Sequence, residues 1–136
     1  MTTHAHGPFD VKIGPLDAYN KDKGSNLART SIDKQFHGDL EATSKGEMLA
    51  AGSGAKDSSG GYVAIEKVTG VLHGRSGSFV LQHNATMTGG VPYMNIIVVP
   101  DSGSGALKGL TGKMTIVIAD GKHSYEFDYS MPEGAR

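Results

Sequence analysis

Apolar and polar residues alternate along much of this chain with a period of two, the spacing that separates the two faces of a β-strand. Phe9, Val11 and Ile13 alternate with Asp10 and Lys12, which predicts a first strand over Phe9–Ile13 bracketed by Pro8 and Pro15. A polar loop over Asp17–Asn26 follows. A second strand is expected over Leu27–Leu40, with Ala28, Ile32, Phe36 and Leu40 on one face and Arg29, Asp33 and Gln35 on the other. Its length predicts a bend or bulge at Gly38. Ser44 and Glu47 mimic a helix capping box, but Gly52 and Gly54 would stop a helix after two turns, so a short strand is expected there.

The signal sharpens from Gly61. Two strands, Tyr62–His73 and Ser78–Thr88, are joined at Gly74–Gly77. With Arg75-Ser76 as the loop, Leu72 faces Phe79, Gly70 faces Leu81, Val68 faces His83 and Glu66 faces Ala85. One face then carries Ala64, Val68, Leu72, Phe79, Leu81, Ala85 and Met87. Lys67, Thr69, His73, Ser78, Gln82 and Asn84 lie on the other. A one-residue slip would exchange the faces, and this register separates apolar from polar residues well. Gly89-Gly90 is a turn signal before a strand over Pro92–Val99. Lys113–Ala119 and His123–Met131 form a last hairpin across Asp120-Gly121, with Tyr125, Phe127 and Tyr129 on one side. All five prolines are expected at segment edges. About eight strands with no convincing helix predict an all-β fold, a single small antiparallel closed β-barrel over residues 1–136.

Composition narrows the function classes. The 20 glycines, about twice the ~7% average, punctuate the strands rather than form a repeat. A net charge of −1 supplies no basic field for a nucleic-acid backbone. The absence of cysteine removes disulfides, thiolate metal sites and a cysteine nucleophile. No run approaches the ~20 apolar residues that span a bilayer, and the first residues lack the basic-then-apolar pattern of a signal peptide. A cytoplasmic protein without membrane or nucleic-acid partners is expected. Gly109-Leu-Thr-Gly112-Lys113-Met114 departs from a P-loop, because Met114 replaces the metal-binding hydroxyl and Leu107 stands at the first glycine. Gly103 and Gly105 are followed by Gly109, one residue too late for a dinucleotide fingerprint. Gly74-Arg-Ser76-Gly-Ser78 lacks the last glycine of a nucleophile elbow. His4 and His6 fall on one strand face, yet no third ligand can be assigned, so no metal and no cofactor are expected.

The stretches Val63-Ala-Ile-Glu66-Lys-Val-Thr-Gly70 and Gly74-Arg-Ser-Gly77-Ser78-Phe79-Val-Leu-Gln82-His83 resemble a family of uncharacterised bacterial proteins. Its domain of unknown function is grouped with the allene oxide cyclase-like barrels. The segment Ser102-Gly-Ser-Gly105-Ala-Leu107-Lys-Gly109-Leu-Thr-Gly112 is similar to the glycine-rich hairpin of allene oxide cyclases and dirigent proteins. The resemblance implies an eight-stranded antiparallel barrel, often oligomeric, with an apolar cavity. The catalytic residues of the plant cyclases do not map onto this chain, so their activity is not implied. A homodimer or higher homo-oligomer is expected on this basis. The strand after Gly89-Gly90 agrees, since Tyr93, Ile97 and Val99 are apolar on the side opposite Met94, Ile96 and Val98.

Glu66 and His83 are the candidate catalytic residues. The hairpin register makes them diagonal neighbours on the apolar face, within side-chain reach. A carboxyl among Val, Leu and Phe is expected to have a raised pKa, with a partner histidine pulling it back. Phe79, Leu81, Val68, Tyr62 and Tyr125 are candidate ligand-binding residues, and each of the three aromatics among them has an alternative place in the core. Three functions follow. The first is a binding module for a small hydrophobic or amphipathic molecule in the barrel. The second is a cofactor-independent isomerase or cyclase using Glu66 and His83 as an acid–base pair. The third is a structural barrel with a filled core, in which Glu66 serves a buried ion pair or meets Arg75 or Lys67 at the mouth.

Overall fold

The computed structural model describes residues 1–24, 26–53 and 58–132; Gly54 lies outside the described residues. In chain order the strands are β1 (Thr3–Leu16), β2 (Leu27–Phe36), β3 (Leu40–Gly52), β4 (Gly60–Leu72), β5 (Arg75–Thr88), β6 (Val91–Val98), β7 (Ser104–Gly105), β8 (Thr111–Ala119) and β9 (Lys122–Ser130). No helix occurs among the described residues. Every pairing is antiparallel. The ladder runs β4-β3-β2-β1-β9-β8-β6-β5 and closes through β4–β5, giving an eight-stranded barrel. The short β7 is an extra strand that pairs with Gly77 and Ser78 of β5. Closure leaves the barrel strands without a free edge.

Three local features differ from the alternation pattern. The stretch Leu27–Leu40 is two strands rather than one bulged strand. Gly38, at φ +96°, turns the chain between β2 and β3. Tyr125 clamps that turn: its hydroxyl donates to the His37 carbonyl (2.7 Å) and accepts from the Leu40 N–H (2.8 Å). Pro8 lies inside β1 rather than at its edge. Its carbonyl accepts from the His37 N–H, and the His37 carbonyl, which the missing Pro8 N–H would have met, accepts from the Tyr125 hydroxyl instead. The β4–β5 hairpin turns at His73-Gly74, not Arg75-Ser76. Both residues have positive φ, +45° and +80°, as a tight two-residue hairpin turn requires. His73 is held in that conformation by the Tyr129 hydroxyl at 2.5 Å. Glu66 therefore faces Leu81 instead of Ala85, and Val68 faces Phe79. The displacement is even, so the inward face is unchanged.

The interior divides into two halves. Around the β4–β5 turn it is packed solid by Phe36, Leu40, Leu72, Phe79, Tyr125 and Phe127, none more than 1% exposed. Phe79 and Phe127 stack with centroids 5.8 Å apart. Leu107 and Leu110, just after β7, join the same core. Each such side chain contributes ~1.5–3 kcal/mol by leaving water. The other half, where Ala28, Ala50, Gly61 and Ala85 are among the wall residues, stays open. On β6, Ile96 and Val98 point into the core, whereas Tyr93 is 60% exposed and Ile97, like Val99 just beyond the strand, is half-buried.

Candidate functional site

A polar layer crosses the barrel between the filled and open halves. Four adjacent strands each place one polar side chain at an inward position. Lys34 lies between Ile32 and Phe36 on β2, Ser44 between Ala42 and Gly46 on β3, Glu66 between Ala64 and Val68 on β4, and His83 between Leu81 and Ala85 on β5. All four are buried, Glu66 completely. The Glu66 carboxylate is the hub. Ser44 Oγ donates to Oε1 at 2.6 Å, while Lys34 Nζ at 2.9 Å and His83 Nε2 at 2.5 Å both meet Oε2. Gly46 makes room for this hub. A Cβ there would stand 2.1 Å from the Ile65 carbonyl oxygen and 2.7 Å from the Glu66 Cβ.

A lone buried carboxylate would neutralise itself by taking up a proton. Burial does push the Glu66 pKa upward, but the His83 hydrogen bond, the Lys34 and His83 charges and the Ser44 hydrogen bond outweigh it. The result is a pKa lowered from 4.5 to about 2. This is opposite in direction to the expectation from burial in an apolar setting. The difference is Lys34, whose ammonium is enclosed with 4% of its side chain exposed. It also sits 5.0 Å from the Phe9 ring centroid and 5.7 Å from that of Phe36, a cation–π setting that helps offset its desolvation.

The ionised Glu66 carboxylate can only accept, so His83 Nε2 carries a proton directed at it. His83 Nδ1 faces Tyr62, whose hydroxyl lies 3.4 Å from it. The Tyr62 phenol is itself pushed above its ordinary pKa by burial and by the negative charge of Glu66. A continuous polar run therefore leads from Glu66 through His83 to Tyr62.

Tyr62 is where that run meets open space. The open half of the barrel contains a cavity of about 570 Å³, within the ~300–1,000 Å³ range of small-molecule sites. Its wall includes Ala28, Met48, Ala50, Tyr62, Met87 and Met94. The wall is mostly apolar, with Asn26, Ser58, Ser59 and Thr86 adding polar groups, and its methionines adapt to irregular shapes.

The chain is matched over residues 5–129 by the family model described as "Protein of unknown function (DUF3224)". The chain belongs to the DUF3224 family. Its barrel is similar to the crystal structure of a DUF3224-family protein of unknown function from Shewanella oneidensis MR-1, with 50% identity and a TM-score of 0.90. The match covers 96% of this chain and 98% of that one. No curated protein matches the chain.

In this DUF3224 barrel, Glu66 and His83 meet directly, and the cationic partner of Glu66 is Lys34 rather than Arg75 or Lys67. Of the five candidate ligand-binding residues, Tyr62 lines the cavity. Phe79, Leu81, Val68 and Tyr125 belong to the packed core. They share Tyr62's inward parity or its aromatic character, but they lie toward the filled end, where large side chains from facing strands meet. Lys34 and Ser44 are the site residues that the hairpin pattern did not reveal. Lys34 carried a signal: it stands between Ile32 and Phe36 on the apolar parity of β2, where a charge needs a partner. His4 and His6 stack at 5.9 Å on the outer surface. Both His4 ring nitrogens are engaged by carboxylates, Asp128 at 2.7 Å and Glu126 at 2.8 Å. Among the described residues no group of three or more such side chains is arranged to hold a metal ion.

Proposed function

We propose that this protein is a binding module that holds a small hydrophobic or amphipathic molecule in the open half of its barrel. The observation that carries this reading is the cavity of about 570 Å³, whose mostly apolar wall ends on the Tyr62 hydroxyl and the buried polar layer behind it. A concave apolar space with a few convergent polar groups is the usual form of a small-molecule site. A barrel serving structure alone would have little reason to leave half its interior unfilled, since voids forfeit packing energy.

Native mass spectrometry of freshly purified protein tests this. The expected result is an adduct of a few hundred daltons on the 14.2 kDa chain, lost on denaturation. Ala50→Phe, which inserts a ring from the cavity wall, should abolish the adduct and leave the far-ultraviolet circular dichroism unchanged. An adduct that persists undiminished in that variant would place the ligand elsewhere.

The hydrogen-bonded run also supports a second reading, a cofactor-independent isomerase or cyclase. Glu66 is enclosed and held ionised, so in that reading it is a positioning residue that orients His83. His83 and Tyr62 would be the groups that exchange a proton with a substrate.

A further inference from the structure

The character of the cavity wall restricts what can occupy it. Among the described residues, no side chain lining the cavity is charged. The nearest buried charges are already committed, Lys34 to Glu66 and Glu66 to three donors. Moving an ion from water into such a space costs several kcal/mol unless a partner waits for it. The cavity's described polar side chains are Asn26, Ser58, Ser59, Thr86 and Tyr62, and of these Tyr62 is the one that reaches the buried polar layer. The 3.4 Å separation of its hydroxyl from His83 Nδ1 is long for a hydrogen bond. The phenol is therefore able to donate its hydrogen to a ligand oxygen or to accept from a ligand hydroxyl.

We propose that the cavity selects an uncharged apolar molecule bearing one hydrogen-bonding oxygen, a hydroxyl or a carbonyl, which docks on Tyr62. This rests on the reading of the cavity as a small-molecule site and adds the ligand class. Among the described lining residues neither a carboxylate nor an organic cation would meet a counter-charge. Two further observations agree. The charge of Glu66 already acts on the Tyr62 oxygen and favours its neutral form, and a ligand anion at the same place would feel the same repulsion. Two positions along β2 from Ala28, the Thr30 hydroxyl is buried with no hydrogen-bond partner, an arrangement that is normally costly. It offers a further uncharged polar group on an inward position next to the cavity wall.

Four probes sharing one ring system separate the contributions: naphthalene, 2-naphthol, 2-naphthoate and 2-naphthylmethylammonium, titrated by calorimetry at pH 7. The expected order has 2-naphthol at least tenfold tighter than either ion and about fivefold tighter than naphthalene. Tyr62→Phe should erase the advantage of 2-naphthol over naphthalene and leave naphthalene binding unchanged, which also reports that the cavity is intact. Equal or tighter binding of 2-naphthoate or the ammonium would overturn the proposal while leaving the cavity a binding site. So would a 2-naphthol advantage that survives in Tyr62→Phe. Failure of all four probes to bind the wild type would overturn the binding-module reading itself.

Discussion

Glu66→Gln should lower the stability of the barrel by about 3–5 kcal/mol, the usual cost of breaking a buried ion pair from one side. The cost comes from Lys34. Its ammonium is enclosed by Phe9, Phe36 and Glu66, and removing the carboxylate leaves a buried cation with no counter-charge. In a domain whose whole stability is ~5–15 kcal/mol, that is a large fraction. A fall in Tm on the order of 10–20 °C is expected. The double variant Lys34→Met, Glu66→Gln removes both charges. Its glutamine can still accept from His83 Nε2 and keep Ser44 paired, so most of the loss should be recovered. Thermal unfolding of the wild type, the single variant and the double variant provides the test. A double variant no more stable than Glu66→Gln would mean that the unpaired Lys34 is not the cause.

The same hub makes the barrel sensitive to acid. The Glu66 pKa is about 2 in the folded state against an ordinary value of 4.5. A depressed folded pKa contributes stability that is fully present above the unfolded value and is lost as pH falls through the folded one. The contribution is thus intact above about pH 4.5 and gone below about pH 2. At about 1.4 kcal/mol per pH unit it amounts to roughly 3 kcal/mol, of which about 2 is lost by pH 3. Urea unfolding at pH 6.5 and pH 3 should therefore show the wild type losing about 2 kcal/mol more than the Lys34→Met, Glu66→Gln double variant. The other carboxylates are common to both and cancel. Equal losses would show that Glu66 does not titrate differently in the folded and unfolded chains.

Much of this architecture was legible because period-two alternation survives errors in register. Displacing the hairpin turn from Arg75-Ser76 to His73-Gly74 moved every cross-strand partner, yet Glu66 and His83 remained diagonal neighbours on the inward face. The turn itself could have been found, since Gly74 readily supplies one positive φ and histidine tolerates the other better than most residues, whereas Arg75-Ser76 supplies neither. Lys34 was hidden for a different reason. Its role depends on β2 and β4 lying on either side of β3, a relation across the closed barrel that alternation within one hairpin does not encode. The division into a filled and an open half also escaped the strand pattern. Inward parity is shared by Phe79 and Tyr62 alike, and what separates them is the size of the residues facing them, Phe36 and Phe127 at one end and Ala28 and Ala50 at the other.

If the open half of the barrel is a binding site, its methionines report on occupancy directly. The chain has six. Met48, Met87 and Met94 line the cavity, while Met114 is buried in the packed core. Methyl-resolved NMR of protein carrying labelled methionine methyl groups, titrated with 2-naphthol, should shift the Met48, Met87 and Met94 resonances together in one saturable process. Met114 should stay in place. No saturable shift at the three cavity methionines, or a shift centred on Met114, would contradict binding in the open half.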